Sequence, residues 1–317
     1  MEVCVVGGGV IGSLLAAHLS LATPTKLLVR RTEHAAAVNG ERLEISGIRR
    51  FTADVRASTV AADLRPCDMA IVATKSTDLP SAAEALEALC PSCVMTVQNG
   101  LGAEHALAQA GAWPVISGVT FLSGTRLTDR EIELELDAPT WLAPWHERPA
   151  PLDAVQRLAE LLCAGGLMAE LRPDLRPAQW SKLLFNSAVS TTAAITELPH
   201  VSAYTVVDGE ASLGGLIRAL MDEGRAVARA AGVRLADDPW QMNLAAVARG
   251  RSGGSEYHHL PSILADVRAR RPTEVDFITG AVLAEARRLE VPARLHEMAY
   301  ELIKGKEASW LKEDTGD

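Results

Sequence analysis

The chain has 317 residues, enough at roughly 150 residues per domain for about two domains, and its 48% apolar and 22% charged residues supply ordinary packed cores. With aromatics at 4%, those cores are filled mainly by Ala, Leu, Val and Ile, and a formal net charge of −9 excludes the broad basic surface of a nucleic-acid binder. A local phosphate site stays open.

The apolar stretch at residues 3–19 is cut by Gly7, Gly8, Gly9 and Gly12 and lacks a basic n-region, so neither a signal peptide nor a membrane span is expected. Short β-branched runs at 3–6, 27–29, 69–73, 94–97 and 115–119 predict strands. Between them, 11–21, 33–38, 79–89 and 103–110 have helical spacing. Such alternation predicts an α/β fold, a Rossmann-like doubly wound parallel sheet covered on both faces. Segments 131–136 and 141–142 add strand character, expected antiparallel at the sheet edge, and a proline-punctuated loop precedes a helix at 152–163. From about Pro173 the patterns at 178–194, 210–231, 261–271, 273–289 and 296–304 predict a C-terminal all-helical domain. Gly232 and Gly250 are placed as helix C-caps, and 249–255 reads as a flexible loop.

The first strand runs into Gly7-Gly8-Gly9-Val10-Ile11-Gly12 and then a helix, a G-x-G-x-x-G in the context a dinucleotide site requires. Gly7 permits the tight turn, Gly9 lets the backbone approach a pyrophosphate, and Gly12 lets helix and strand pack closely. The helix start at Val10 and Ile11 offers free N–H groups to the phosphates. The second strand ends in Arg30-Arg31, where an NAD site usually places an acid for the ribose 2′-hydroxyl. Guanidiniums suit a 2′-phosphate, so NADP is expected over NAD, although Glu33 lies near.

Two further strands run out into Thr74-Lys75 and Gln98-Asn99-Gly100, at the carboxyl edge where open α/β sheets bind ligands; a solvated lysine and a plain turn fit that spacing equally. Lys182, Asn186 and Ser190 share one helix face at i, i+4 and i+8, either a functional face or a solvated stripe. Ser262, Asp266, Thr273, Glu274 and Asp276 around Arg268, Arg270 and Arg271 read as a surface ion-pair network. Five cysteines, an odd number, make no disulfide framework, and a reducing cytoplasm is expected. Cys90-x-x-Cys93 alone cannot complete a four-ligand zinc site, and it lacks the helix-start setting of a thioredoxin motif. His258-His259 have no further spaced ligand, so no metal is expected.

Taken together, Gly7–Gly12, Arg31, Lys75, Gln98-Asn99-Gly100, Trp180-x-Lys182-x-x-x-Asn186 and Ser262…Asp266…Thr273-Glu274-x-Asp276…Gly280 resemble the ketopantoate reductase (2-dehydropantoate 2-reductase) family. The resemblance runs through nearly the whole chain in the family's order and spacing. It implies a Rossmann NADP-binding domain at residues 1–170 and a helical substrate and catalytic domain at 171–317, closing over NADPH and a 2-keto acid. It makes Lys182 the general acid and Glu274 an acidic partner near the reacting group and cofactor. Lys75 and Asn99 fall at the nicotinamide and substrate side, Arg31 at the 2′-phosphate, and Asn186, Ser190 and Ser262 at the substrate. Hydride arriving at a ketone carbon leaves an alkoxide, which an ammonium both stabilises and protonates.

The chain departs from the family pattern at Ser190 and Thr191, where Asn and Pro are usual, at His259 in place of Asn, and at Asp78 in place of Gln. The expected activity is NADPH-dependent reduction of a 2-keto acid, with ketopantoate to pantoate, in pantothenate biosynthesis, as the family default. The departures leave a different branched 2-keto acid open. A non-catalytic NADP-binding sensor is the rival reading, against which Lys182 and Glu274 speak. The expected partner is a small molecule, not nucleic acid or membrane, and a homodimer is left open.

Overall fold

In the first half of the chain, buried apolar runs form strands and Ala/Leu-rich runs form the helices between them. The computed structural model describes residues 1–208, 212–251 and 260–315. In chain order, this half contains β1 (Val3–Val6), α1 (Val10–Ser20), β2 (Thr25–Leu28), α2 (Thr32–Glu41), β3 (Leu43–Gly47), β4 (Phe51–Ala53) and β5 (Arg56–Ser58). There follow β6 (Met69–Val72), α3 (Leu79–Leu89), β7 (Cys93–Thr96), α4 (Ala103–Ala110), β8 (Val115–Thr120), β9 (Ser123–Arg126), β10 (Glu131–Leu136), β11 (Thr140–Pro144), α5 (Leu152–Ala164) and β12 (Ala169–Leu171). Residues Met1–Gln98 and Ala103–Leu175 group as one unit; Asn99–Gly102 and the chain from Arg176 onward group as a second.

The main sheet runs β5-β2-β1-β6-β7-β8-β11-β12. Its first six strands follow the order of a doubly wound dinucleotide fold and are mutually parallel. Every residue of β1, β6 and β7 is buried, as expected of strands covered on both faces. The order reverses between β1 and β6, and the crevice outside their carboxyl ends is where such sheets take ligands.

The structure moves 131–136 away from the edge of this sheet. β10 belongs to a second sheet, ordered β4-β3-β10-β9, pairing parallel with β3 and antiparallel with β9. Its alternation of Glu131, Glu133 and Glu135 with the fully buried Ile132 and Leu134 covers only one face, which does not suit a sheet packed on both. β11 does run antiparallel to β8, but β12 covers its outer side and makes it the penultimate strand.

The second unit is helical: α6 (Arg176–Thr196), α7 (Leu213–Ala230), α8 (Pro239–Arg251), α9 (Ser262–Arg268), α10 (Thr279–Arg288) and α11 (Arg294–Thr315). α6 packs against all five others and is the spine of the unit. α7 starts on Ser212, whose hydroxyl accepts from the Gly215 N–H, and ends at Gly232 with φ +70°. There the Val233 N–H donates to the Ala228 carbonyl and the Gly232 N–H to that of Arg229, a Schellman cap.

Gly250 is not a cap; it lies inside α8, a helix absent from the predicted set. The remainder of the predicted 249–255 loop, from 252, lies outside the described residues, as do His258 and His259. The helix expected from 273 begins only at Thr279, because Thr273 spends its polar groups elsewhere. Its N–H and hydroxyl both donate to Glu307 on α11 (2.8 and 2.7 Å), and its Oγ1 accepts from the Val275 N–H. Among the described residues no helix is long and apolar enough to cross a membrane.

Candidate active site

The glycine-rich turn divides its glycines between folding and access. Gly7 has φ +112°, and a Cβ there would lie 2.8 Å from the Thr74 nitrogen. A Cβ on Gly12 would lie 1.9 Å from the Gly7 carbonyl oxygen, so α1 can sit against β1 only with glycine there. Gly9 differs, since a Cβ would meet only the Ala73 carbonyl oxygen at 3.9 Å. It is the N-cap of α1, and the N–H groups of Val10, Ile11 and Gly12 belong to a first turn that has no intrahelical acceptors. Open space over free N–H groups fits a pyrophosphate.

At the ends of β6 and β7 the structure distinguishes one group in each of the two polar strand ends, Thr74 in Thr74-Lys75 and Gln98 in Gln98-Asn99-Gly100. Val72 and Thr96 are register partners, and two residues beyond them stand Thr74 and Gln98. The Thr74 hydroxyl oxygen and the Gln98 amide nitrogen are buried with no hydrogen-bond partner among the described residues. The Gln98 carbonyl accepts from the Thr96 hydroxyl, which orients the amide. Two stranded polar atoms at the carboxyl edge of a doubly wound sheet fit a polar ligand such as a nicotinamide dinucleotide. Lys75, half-buried, caps the short 3-10 turn Ser76–Asp78 beside them.

Both arginines after β2 face carboxylates. Arg30 lies 3.5 Å from Asp78, one of the departures from the family pattern. Arg31 pairs with Asp129, on the turn between β9 and β10. The same hairpin contributes Arg126, whose guanidinium donates to the Gly8 carbonyl and so braces the glycine-rich turn from behind. Burial pulls Arg126 below the usual arginine range. Beside it His34 is buried, its Nε2 unpartnered, and desolvation holds it below the ordinary imidazole value.

In the helical unit, none of the i, i+4, i+8 residues on α6 is a solvated stripe. Lys182 and Asn186 are half-buried, and Ser190 is only 6% exposed. Burial pushes the Lys182 ammonium down to about 8, while the Glu274 carboxylate acts in the opposite direction. Glu274 is 7% exposed and sits in the turn that Glu307 ties down through Thr273. The Asn99-Gly100-Leu101 segment leans on that turn: the Leu101 N–H donates to Phe277, and a Cβ on Gly100 would strike the Phe277 carbonyl at 2.1 Å. Asn99 is thereby carried with the Glu274 turn. Ser262 is exposed at the first residue of α9, which packs on α6.

The acid and arginine cluster is not one surface network. Asp266 is buried and held by Arg271, Arg268 donates to the Glu197 carbonyl, and Asp276 takes Tyr300 and Lys304. Beside the α6 face, Ser187 meets His296 Nε2 at 3.3 Å, and His296 Nδ1 meets Glu223 at 2.8 Å. Both Ser187 and His296 are fully buried, so this serine–histidine–glutamate array packs helices and reaches no substrate. All five cysteines are free; burial pushes Cys93 up to about 12, and Cys90 closes α3 at φ +52° beside Arg65. Among the described residues no three His, Cys, Asp or Glu side chains gather as metal ligands would.

Known proteins match both halves. Residues 3–147 fit the family model described as "Ketopantoate reductase PanE/ApbA", and 174–307 fit "Ketopantoate reductase PanE/ApbA C terminal". The chain is 25% identical over 309 residues to a 2-dehydropantoate 2-reductase of Pyrococcus abyssi, covering 97% of this chain and 98% of that one. A solved 2-dehydropantoate 2-reductase of Geobacter metallireducens is 25% identical with a TM-score of 0.83, over 96% and 99% of the two chains. A D-mandelate dehydrogenase solved with NADH and anilino(oxo)acetate has the same fold, with a TM-score of 0.83 at 18% identity over 98% and 99%. With both halves matched in order, the chain belongs to the ketopantoate reductase family of oxidoreductases.

Proposed function

We propose that this protein reduces a small 2-keto acid to the 2-hydroxy acid with NADPH, and that Lys182 gives the proton. The observation that carries the reading is a lysine on the central helix whose ammonium is desolvated but kept beside Glu274. A dinucleotide, when bound, would supply the hydride that reduces the ketone carbon. As charge develops on the former carbonyl oxygen, the Lys182 ammonium stabilises it and transfers a proton from Nζ, and solvent later reprotonates the amine. A lysine near 8 is a stronger acid than a free one yet is still largely charged at neutral pH. Glu274 keeps it so.

On the cofactor side, the first-turn N–H groups of α1 and the open face of Gly9 bind the pyrophosphate, with Gly7 and Gly12 shaping the turn. Arg31 takes the 2′-phosphate. The Thr74 hydroxyl and Gln98 amide offer hydrogen bonds at the carboxyl edge, and Lys75 and Asn99 serve the nicotinamide and substrate side. Asn186, Ser190 and Ser262 hold the substrate. Ketopantoate is the default substrate of the family. A second reading, a different branched or bulkier 2-keto acid, rests on Ser190, a shorter side chain with one donor where an amide is usual. That this fold also serves a D-mandelate dehydrogenase is consistent with it.

NADPH oxidation over a panel of 2-keto acids, ketopantoate included, tests the reading. Turnover with at least one is expected. NADPH binding without oxidation by any of them would remove the reductase and leave a sensor.

A further inference from the structure

Within the first unit, the hairpin formed by β9 and β10 is docked on the glycine-rich turn. Arg126 reaches from it to the Gly8 carbonyl and to within 3.5 Å of the Ser13 hydroxyl. Its turn is tied internally: the Leu127 N–H donates to the Glu131 carbonyl, the Thr128 hydroxyl accepts from the Glu131 N–H, and Arg126 Nη1 donates to the Asp129 carbonyl. Asp129 is thus held at a fixed place beside the dinucleotide crevice, and there it pairs with Arg31. The Asp129 side chain is 29% exposed and that of Arg31 58%, so the pair is open to an incoming anion.

We propose that Asp129 is a specificity-determining residue that weakens the site's grip on a 2′-phosphate by occupying the Arg31 guanidinium. This rests on the dinucleotide reading above and adds to it a residue nothing in the sequence pattern marks. A 2′-phosphate that pairs with Arg31 has to take the guanidinium from Asp129 and then tolerate a carboxylate beside it. Arg31 and Arg126 bring two positive charges to this corner, and Asp129 cancels one. A cofactor with a free 2′-hydroxyl meets no such penalty and can donate to the carboxylate. The site therefore takes NADP(H) with a smaller advantage over NAD(H) than Arg31 alone would give. The Arg31 hydrogen bond holds the Asp129 carboxyl below the usual carboxylate range, so the competitor is charged at neutral pH.

Two fragments read this without turnover: 2′,5′-ADP, which carries the 2′-phosphate, and 5′-AMP, which does not. Calorimetric titration of the full chain with each is repeated for Asp129→Asn, Arg31→Ala and the double variant. Asp129→Asn is expected to tighten 2′,5′-ADP roughly three- to tenfold and leave 5′-AMP within about twofold. The gain is expected to shrink in high salt and to be smaller, though not absent, in the Arg31→Ala background, where only relief of the carboxylate–phosphate repulsion remains. Equal affinities of wild type and Asp129→Asn for 2′,5′-ADP, or equal shifts for both fragments, overturn the proposal and leave the dinucleotide site standing. Failure of both fragments to bind any of the four proteins overturns the site along with it.

Discussion

The two proposed binding regions, the glycine-rich turn and the polar face of α6, are built by opposite means. At the turn the work is done by backbone: Gly7 and Gly12 are fixed by the space around them, and Gly9 leaves N–H groups uncovered. On α6 it is done by side chains, and above all by the cost of burying one charge, Lys182, that Glu274 partly offsets. Steric geometry of the first kind is local and tolerates almost no substitution. Electrostatics of the second kind depends on residues 92 positions apart and can be tuned by either partner.

Substitutions separate the two modes. The largest effect is expected from Lys182→Ala, which should lower kcat roughly 10²–10⁴-fold, the usual worth of a positioned acid, with NADPH affinity little changed. Steady-state kinetics with a parallel binding titration checks it, and wild-type turnover would remove Lys182 from the chemistry. At the turn, Gly12→Ala should prevent folding or sharply lower Tm, because its Cβ has only 1.9 Å to the Gly7 oxygen. Gly9→Ala should leave Tm near wild type and weaken NADPH about tenfold or more, since the methyl fills space meant for ligand. Thermal melts with and without NADPH distinguish them; similar Tm losses for both would mean Gly9 is structural too.

Arg31→Ala should cost NADPH binding at least about tenfold and NADH little, from the loss of a charged hydrogen bond worth roughly 1.5–3 kcal/mol. Equal losses for both cofactors would show that the arginine does not read the phosphate. The smallest effect is expected from Ser190→Asn, a few-fold shift of kcat/KM toward ketopantoate over bulkier keto acids. Because Ser190 is buried, the larger side chain should also cost about 1–3 kcal/mol of stability by overpacking. An unchanged substrate ranking would place Ser190 outside the substrate pocket.

These two regions were also unequally visible in the amino-acid sequence. The strand, the three glycines and the helix lie within 20 residues, so spacing alone placed them, and α3 and α4 fell where their periodicity put them. β9, Ser123-Gly-Thr-Arg, has neither alternation nor β-branched density, and its hairpin was missed with it. So were Arg126 and Asp129, which act on Gly8 and Arg31 from 118 and 98 residues away. The shared face of Lys182, Asn186 and Ser190 followed from helical period, but its burial did not, because burial on α6 depends on helices distant in the chain that pack against it. Glu274 looked helical until Thr273 bound Glu307, a contact across 34 residues.

The pH dependence of kcat/KM tests the central claim most directly, that a desolvated Lys182 ammonium beside Glu274 is the proton donor. Activity needs the charged amine, so the account predicts a fall as pH rises through about 8. Glu274 raises the lysine's value, so Glu274→Gln should move that limb to lower pH. A profile flat to pH ~10, or a limb that Glu274→Gln leaves in place, would contradict it.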